Sequence, residues 1–414
     1  MSKQKYKWVG TRPDRPDGAD KVTGRARFGA DFNMPGQLIG KVLRSPHAHA
    51  RIKSIDISAA EKLPGVKAVV TAKDFPEQPN LIVPTGEMQV NLRDITRNVM
   101  AREKALYESH PVAAVAATTD AIASAALALI KVEYEVLPHV IDVAEAMKDG
   151  APLLHDHLIT EGVKPVPTKP SNIAKRIDNL KGDTDAGFKQ AEIVVERDYT
   201  TQPVHQGYIE PHACLASMAE DGQVQIWSTT QGHFQVRGFC SRLLNIETSQ
   251  IRVTPTEIGG GFGGKTVVYL EPVAVMLSKK SGKPVKMVMS RDEVFRASGP
   301  APGGTVHVKI GAKKDGTIVA AECTIALQAG AFPGSPVGPA CWTSFACYDI
   351  PNIKVVGYDV VSNRPKVAAY RAPGAPISAW GVESTVDILA QELRMDPIDL
   401  RLKNAAKKGT KTSY

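Results

Sequence analysis

The sequence predicts an α+β protein with more than one domain. Up to about residue 150, short apolar runs with strand alternation are interleaved with brief helical patterns. From Ala191 strands dominate, and two helical patterns close the chain. At 414 residues it can bury a large core and hold two or more domains.

The first unit is expected over 1–150. Gln37–Arg44 and Ala50–Ile57 read as strands, Ser58–Lys62 as a short helix ended by Pro64-Gly65, and Val66–Thr71 as a buried strand. Pro111–Ala117, Asp120–Ile130 and Lys131–Val136 read as strand, helix and strand, with Asp120 at the N-cap. The proline-bearing stretch Gly162 to Pro170 reads as a linker, placed within 151–172. In the second unit, 173–414, Ile193–Thr200, Ala213–Met218, Val224–Ser228 and Thr305–Ile310 read as strands. Asp315-Gly316 reads as a hairpin turn before Ile318–Ala326. Helices are expected at Gln235–Leu244 and from about Val268 to Lys280, where Gly282 stops the second. Ile377–Arg394 places Trp380, Val382, Val386, Leu389 and Leu393 on one face. Asp396-Pro397 then starts a last helix running to Gly409.

The net charge of +8 is dispersed. Its densest runs, Lys279-Lys280 and Lys407-Lys408, lie at expected helix ends, where lysine suits the helix dipole. No aromatic–basic interleaving accompanies the charge, so a solvated surface or an acidic partner protein is expected rather than nucleic acid. Met1 to Tyr6 lacks an apolar h-region, and Val112 to Ile130 is broken by Thr118-Thr119-Asp120. Neither a secretory signal nor a membrane span is expected, and the location reads as cytoplasmic. Cys214, Cys240, Cys323, Cys341 and Cys347 form no C-x-x-C pair and read as buried free thiols. They lack the spacing of iron–sulfur ligands. The pairs His47/His49 and His155/His157 have no third ligand nearby and read as structural.

The segment Gly259-Gly260-Gly261-Phe262-Gly263-Gly264-Lys265-Thr266 carries the strongest functional signal. Each interior glycine costs roughly 0.5–1 kcal/mol relative to alanine. Such a run persists where backbone N–H groups must lie against a bulky, often anionic ligand. It fits the phosphate-loop pattern G-x-x-x-x-G-K-[ST], so an NTPase is one alternative. Against it, the entering segment Ile251 to Ile258 alternates and contains Pro255, as an edge strand would. Pro272 falls early in the helix that should follow, and no good acidic strand end appears after Val285 to Met289.

Several segments together resemble the molybdenum-binding large subunit of the xanthine oxidase family of molybdenum hydroxylases. Asp20 to Asp31, reading DKVTGRARFGAD, is similar to the start of that family's hammerhead domain. Arg44 to Ile52 resembles its next hallmark, and Leu63-Pro64-Gly65-Val66 follows in order. Gly259 to Lys265 resembles the glycine-rich loop beside molybdenum, and Ala369-Tyr370-Arg371-Ala372-Pro373-Gly374 the second active-site loop. The resemblance covers nearly the whole chain. It implies a hammerhead α/β domain followed by the first molybdopterin-binding domain.

By that resemblance Gln231, followed by Gly232, matches the glutamine that hydrogen-bonds the apical oxygen ligand on molybdenum. Gly261, Phe262 and Gly263 match the first cofactor loop, and Arg371 and Ala372 the second. Purine-oxidising members carry glutamate where Thr266 stands and phenylalanine where Pro373 stands, and these two are expected substrate-pocket positions. Copper-containing carbon monoxide dehydrogenases carry cysteine where Ala372 stands. A purine substrate and a copper–molybdenum site are therefore not expected. No side chain of this chain is expected to ligate the metal, because the pterin supplies the dithiolene. No G-x-G-E-type segment with the family's general-base glutamate occurs. Either this sequence is a fragment of a longer chain, or that residue and the second cofactor-binding domain are on a companion chain, as in the nicotinate dehydrogenase type; the companion chain is the expectation carried forward.

The implied activity is hydroxylation of an aldehyde or N-heteroaromatic carbon with oxygen from water. The implied cofactors are molybdopterin, or its cytosine dinucleotide, with [2Fe-2S] and FAD on partner subunits. Reduction of an aromatic CoA thioester, and a non-catalytic scaffold that only binds partner subunits, remain alternatives.

Overall fold

Pro111–Ala117 is buried along its whole length and forms an interior strand, because neither of its faces meets water. It pairs antiparallel with Leu38–Arg44 on one side and Val66–Thr71 on the other. Leu38–Arg44 also pairs in parallel with Val285–Val288, and the sheet continues through Ala213–Met218 and Val224–Ser228 to Ile251–Pro255 at its edge. One seven-stranded sheet is thus built from both sides of the stretch 151–172. The helix Glu271–Ser281 packs on it and buries Val273, Ala274, Val275 and Leu277 completely. This computed structural model describes residues 6–85 and 88–413; Met1 to Lys5, part of the start read above for a signal, lie outside them.

A second sheet has five strands in the order Ile193–Thr201, Gly304–Ala312, Ile318–Gly330, Ile353–Val361, Ile173–Lys181. The helix Ala375–Leu393 lies against it through Val382, Val386 and Leu389. Trp380, expected on that face, is instead 46% exposed and meets Tyr199 edge-on, with ring centroids 5.1 Å apart. The contacting face runs through Gly381, where a Cβ would come within 2.8 Å of Val306, so the bulky indole is turned to the rim.

Other expectations shift by local chemistry. Thr119, not Asp120, caps its helix, accepting from Ile122 N at 3.2 Å. The helix expected from Val268 begins at Glu271, and the last helix stops at Asn404 rather than Gly409. There the Asn404 amide turns back on Leu400 and Gly316 carbonyls. Four cysteines are buried, but Cys347 is exposed. The edge strand Ile173–Lys181, rich in Lys, Arg and Asp, was not expected from its pattern. Among the described residues no helix is long and apolar enough to cross a membrane.

Leu389 is fully buried between helix and sheet, whereas Leu402 is 67% exposed. Leu389→Ala should cost about 2–5 kcal/mol of unfolding free energy in a denaturant titration. Leu402→Ala should stay within about 0.5 kcal/mol.

Candidate functional site

Gln231 follows the strand Val224–Ser228, and Gly232 caps the helix His233–Leu244. The Gln231 side chain is clasped by the glycine loop. Its Oε1 accepts from Gly263 N at 2.8 Å and from Lys265 N at 3.2 Å, while its own backbone N donates to Lys265 O at 2.9 Å. Two N–H donors on one amide oxygen fix which end is oxygen and leave the NH2 end outward. Among the described residues nothing accepts from that Nε2, and the side chain is exposed.

The loop needs its glycines for clearance. A Cβ on Gly261 would lie 2.6 Å from Gln231 Oε1, and one on Gly263 would lie 2.6 Å from Ala369 O. Gly263 also has φ +104°. Phe262 between them is a non-glycine residue at φ 52° and is 49% exposed. On the facing loop Ala372 sits at φ 60°. Each such left-handed residue costs roughly 1–2 kcal/mol, a strain that folds retain at working sites. Arg371 N donates to Phe262 O at 2.9 Å and ties the loops together. Gln206 Nε2 donates to Ala369 O at 2.8 Å and anchors the second loop from below. The sequence-expected residues Gln231, Gly261, Phe262, Gly263, Arg371 and Ala372 thus meet in one place. Thr266 turns inward, its hydroxyl donating to Gly263 O at 2.8 Å, and Pro373 is half-buried.

Lys265 is 1% exposed, and burial pushes its ammonium pKa down. Glu210, which no sequence motif singles out, opposes that shift. Its Oε2 takes Lys265 Nζ at 2.9 Å and Gly259 N at 2.7 Å; its Oε1 takes Gly29 N at 3.2 Å. The only advance signal was that a lysine inside a glycine loop, next to buried strands, needs a counter-ion. Tyr208, with Lys265 Nζ 4.8 Å from its ring centroid, hydrogen-bonds His212 Nε2 at 2.6 Å and Ser298 at 3.2 Å. Ser298 meets His205 Nε2 at 2.8 Å. The segment Asp20 to Asp31, read only as a domain start, also buttresses the loop. Glu257 N donates to Arg27 O at 3.0 Å, and Lys21 pairs with the Glu257 carboxylate.

A nucleotide loop is excluded by this geometry. The lysine that would meet phosphates is buried on Glu210, the threonine that would meet magnesium is spent on Gly263 O, and the helix begins only at Glu271. The entering strand Ile251–Pro255 is indeed an edge strand.

The two histidine pairs lie elsewhere. His47 stands edge-on to Tyr134, and His49 Nδ1 is 2.7 Å from Pro138 O. His155 Nε2 is 2.7 Å from Ala331 O, and His157 Nε2 is 2.9 Å from an Arg93 nitrogen.

The site therefore offers amide donors and strained backbone rather than metal ligands. Among the described residues no group of three or more His, Cys, Asp or Glu could hold a metal ion. The donors present, an oriented amide and loop N–H groups, suit a group that carries oxygen acceptors. Comparison with known proteins names the class further. Residues 166–405 match the model of the molybdopterin cofactor-binding domain, and 23–138 that of the aldehyde oxidase and xanthine dehydrogenase a/b hammerhead domain. The nicotinate dehydrogenase large molybdopterin subunit of Eubacterium barkeri is 32% identical over 98% of this chain and 91% of its own length. The carbon monoxide dehydrogenase large chain of Afipia carboxidovorans is 34% identical over 97% of this chain and 50% of its own. The aldehyde oxidoreductase of Desulfovibrio gigas superposes with a TM-score of 0.84 at 30% identity, covering 96% of this chain and 43% of that one. The chain belongs to the xanthine oxidase family of molybdenum hydroxylases and carries its hammerhead and molybdopterin cofactor-binding domains. It spans about half the length of several of the relatives it matches.

Burial holds His205 at about 4, helped by the Arg291 charge; burial and then the Lys265 charge hold His212 at about 3. Both folded values lie below the unfolded imidazole value, so the unfolded chain binds more protons between that value and the folded ones. Their stabilisation is complete above about pH 6.5 and is lost as pH falls. His212 alone should lower stability by about 2 kcal/mol on going from pH 7 to pH 5. Melting temperatures across that range should show the fall, and His212→Gln should remove the His212 share of it, leaving the His205 share.

Gly261→Ala should push Gln231 off the loop. Loop amides at 263 and 265 should then exchange hydrogen about tenfold faster, the equivalent of one lost hydrogen bond.

Proposed function

We propose that this chain forms one wall of the active site of a molybdenum hydroxylase whose other wall comes from a companion chain. That chain would contribute the second cofactor-binding domain and the general-base glutamate. The observation that carries the proposal is the Gln231 amide, fixed by two loop N–H groups with its NH2 left free, between two loops that each hold a left-handed non-glycine residue. A relative described as a large molybdopterin subunit, matched over 91% of its length, supports a chain of this extent acting as a subunit.

When bound, the molybdenum–pterin group, as molybdopterin or its cytosine dinucleotide, supplies the two-electron oxidant and the water-derived oxygen. Gln231 Nε2 would donate to an oxygen on that group and hold it against rotation. The N–H groups of Phe262 and Ala372 have no acceptor among the described residues and would face the cofactor as fixed dipoles. Such preset donors cost no reorganisation during reaction. Gly232, Gly261 and Gly263 would admit the group close to the backbone, and Arg371 would hold the second loop to the first.

At the substrate-pocket positions Pro373 would present uncharged surface, and Thr266, its hydroxyl turned back on Gly263 O, would present no carboxylate. That suits an aldehyde or an N-heteroaromatic ring better than a purine needing a carboxylate partner. Ala372 offers no thiol for copper. Electrons would leave through [2Fe-2S] and FAD subunits in a cytoplasmic assembly.

Metal analysis of the complex co-purified with its companion chain tests the proposal directly. Molybdenum is expected, and an intact, active assembly without it would refute the assignment. Gln231→Ala should lower kcat by about 10²-fold, the scale of losing one preset donor. Unchanged activity would instead mark the chain as a scaffold.

A further inference from the structure

We infer that Glu210 is the positioning residue for Gln231, acting through Lys265 and the ends of the glycine loop. The inference rests on the molybdenum–pterin assignment only for what Gln231 is aimed at; the positioning itself is a property of this chain.

One carboxylate oxygen, Glu210 Oε2, takes Gly259 N at 2.7 Å and Lys265 Nζ at 2.9 Å. Those residues open and close the glycine loop, so a single atom holds both ends. The other oxygen takes Gly29 N at 3.2 Å and ties the clamp to the N-terminal segment. Arg291 donates to Tyr208 O at 2.9 Å and also to Ile209 O, fixing the backbone that leads into Glu210.

Lys265 carries the coupling. Its backbone N donates to Gln231 Oε1, and its backbone O accepts from both Gln231 N and Thr230 Oγ1. The side chains of Lys265 and Glu210 are 0% and 9% exposed, so water cannot replace either partner. Without the carboxylate, the ammonium keeps only the Tyr208 ring face, 4.8 Å from its centroid. A lysine so placed sheds its proton or reaches solvent by drawing the loop backbone with it, and either way the tie between the two ends of the loop is lost. Gln231 then loses the two donors that orient its amide.

The test separates positioning from bulk stability with two charge-balanced double variants, E210A/K265M and E210Q/K265M. Both remove the buried charges. Only the second keeps an acceptor for Gly259 N. Hydrogen exchange of the loop amides 259–265 is read in the purified chain, with the strand Gly304–Ala312 as internal reference. E210A/K265M should exchange about tenfold faster in the loop than wild type with the reference strand unchanged, while E210Q/K265M should remain within about threefold. Equal loop exchange in the two variants, or loop rates in E210A/K265M equal to wild type, would overturn the inference. If E210A/K265M fails to fold, the single variant K265M is read instead. Because it leaves the Glu210 carboxylate buried without its ammonium, it must loosen residues 263–265 by more than the reference strand, or the coupling through Lys265 is wrong. Molybdenum content of the wild-type assembly is measured alongside. Its absence would sink the cofactor assignment and leave the exchange result standing.

Discussion

Gln231 Oε1 accepts N–H groups from Gly263 and Lys265, and both bonds require the loop to pass within van der Waals reach of that side chain. This close approach governs the rest of the site. It forbids a Cβ at Gly261, and the opposite wall, Ala369 O, forbids one at Gly263. With both sides closed, Phe262 is forced into the left-handed region and outward. Its carbonyl is then placed to accept from Arg371 N, which brings the second loop and its own left-handed residue, Ala372, alongside. A single amide–loop contact thus propagates to six of the positions expected at the site.

The larger frame exists to keep that contact in register. Strands on both sides of the stretch 151–172 share the seven-stranded sheet, so the base of the loop and the N-terminal strands are built on one layer. Gly29 shows how closely they fit, since a Cβ there would lie 2.2 Å from Thr229 Cγ2. The five-stranded sheet delivers the second loop, between the end of Ile353–Val361 and the helix Ala375–Leu393. The two loops therefore meet where elements of the two sheets come together, an arrangement that lets short loops keep strained conformations.

Much of this was legible in the sequence because it was local. The alternation of Leu38–Arg44, the uniform apolarity of Pro111–Ala117 and the αL stop at Gly282 are each set by a few adjacent residues. The loop residues were legible because five glycines in six positions have few other uses. What escaped was long-range. The partner of Lys265 lies 55 residues away at Glu210, and nothing near Glu210 announces it. Ile173–Lys181 reads as polar because it is an edge strand whose outward side chains face water. Trp380 satisfied helical periodicity but not the steric demand of Gly381 against the sheet, and only the structure weighs those two.

The same eight residues that spell a nucleotide loop become something else because of where the lysine charge is neutralised. In a phosphate loop the ammonium stays available and the ligand supplies the countercharge. Here Glu210 supplies it inside the protein, and Thr266 turns its hydroxyl back on Gly263 O. The loop reaches the cleft with no net charge, offering oriented amide dipoles alone. Such a surface discriminates by position more than by charge. It presents donors at fixed positions without a free charge to draw a phosphate out of water. That neutrality follows from one buried carboxylate, the single member of the arrangement that the sequence pattern did not reveal.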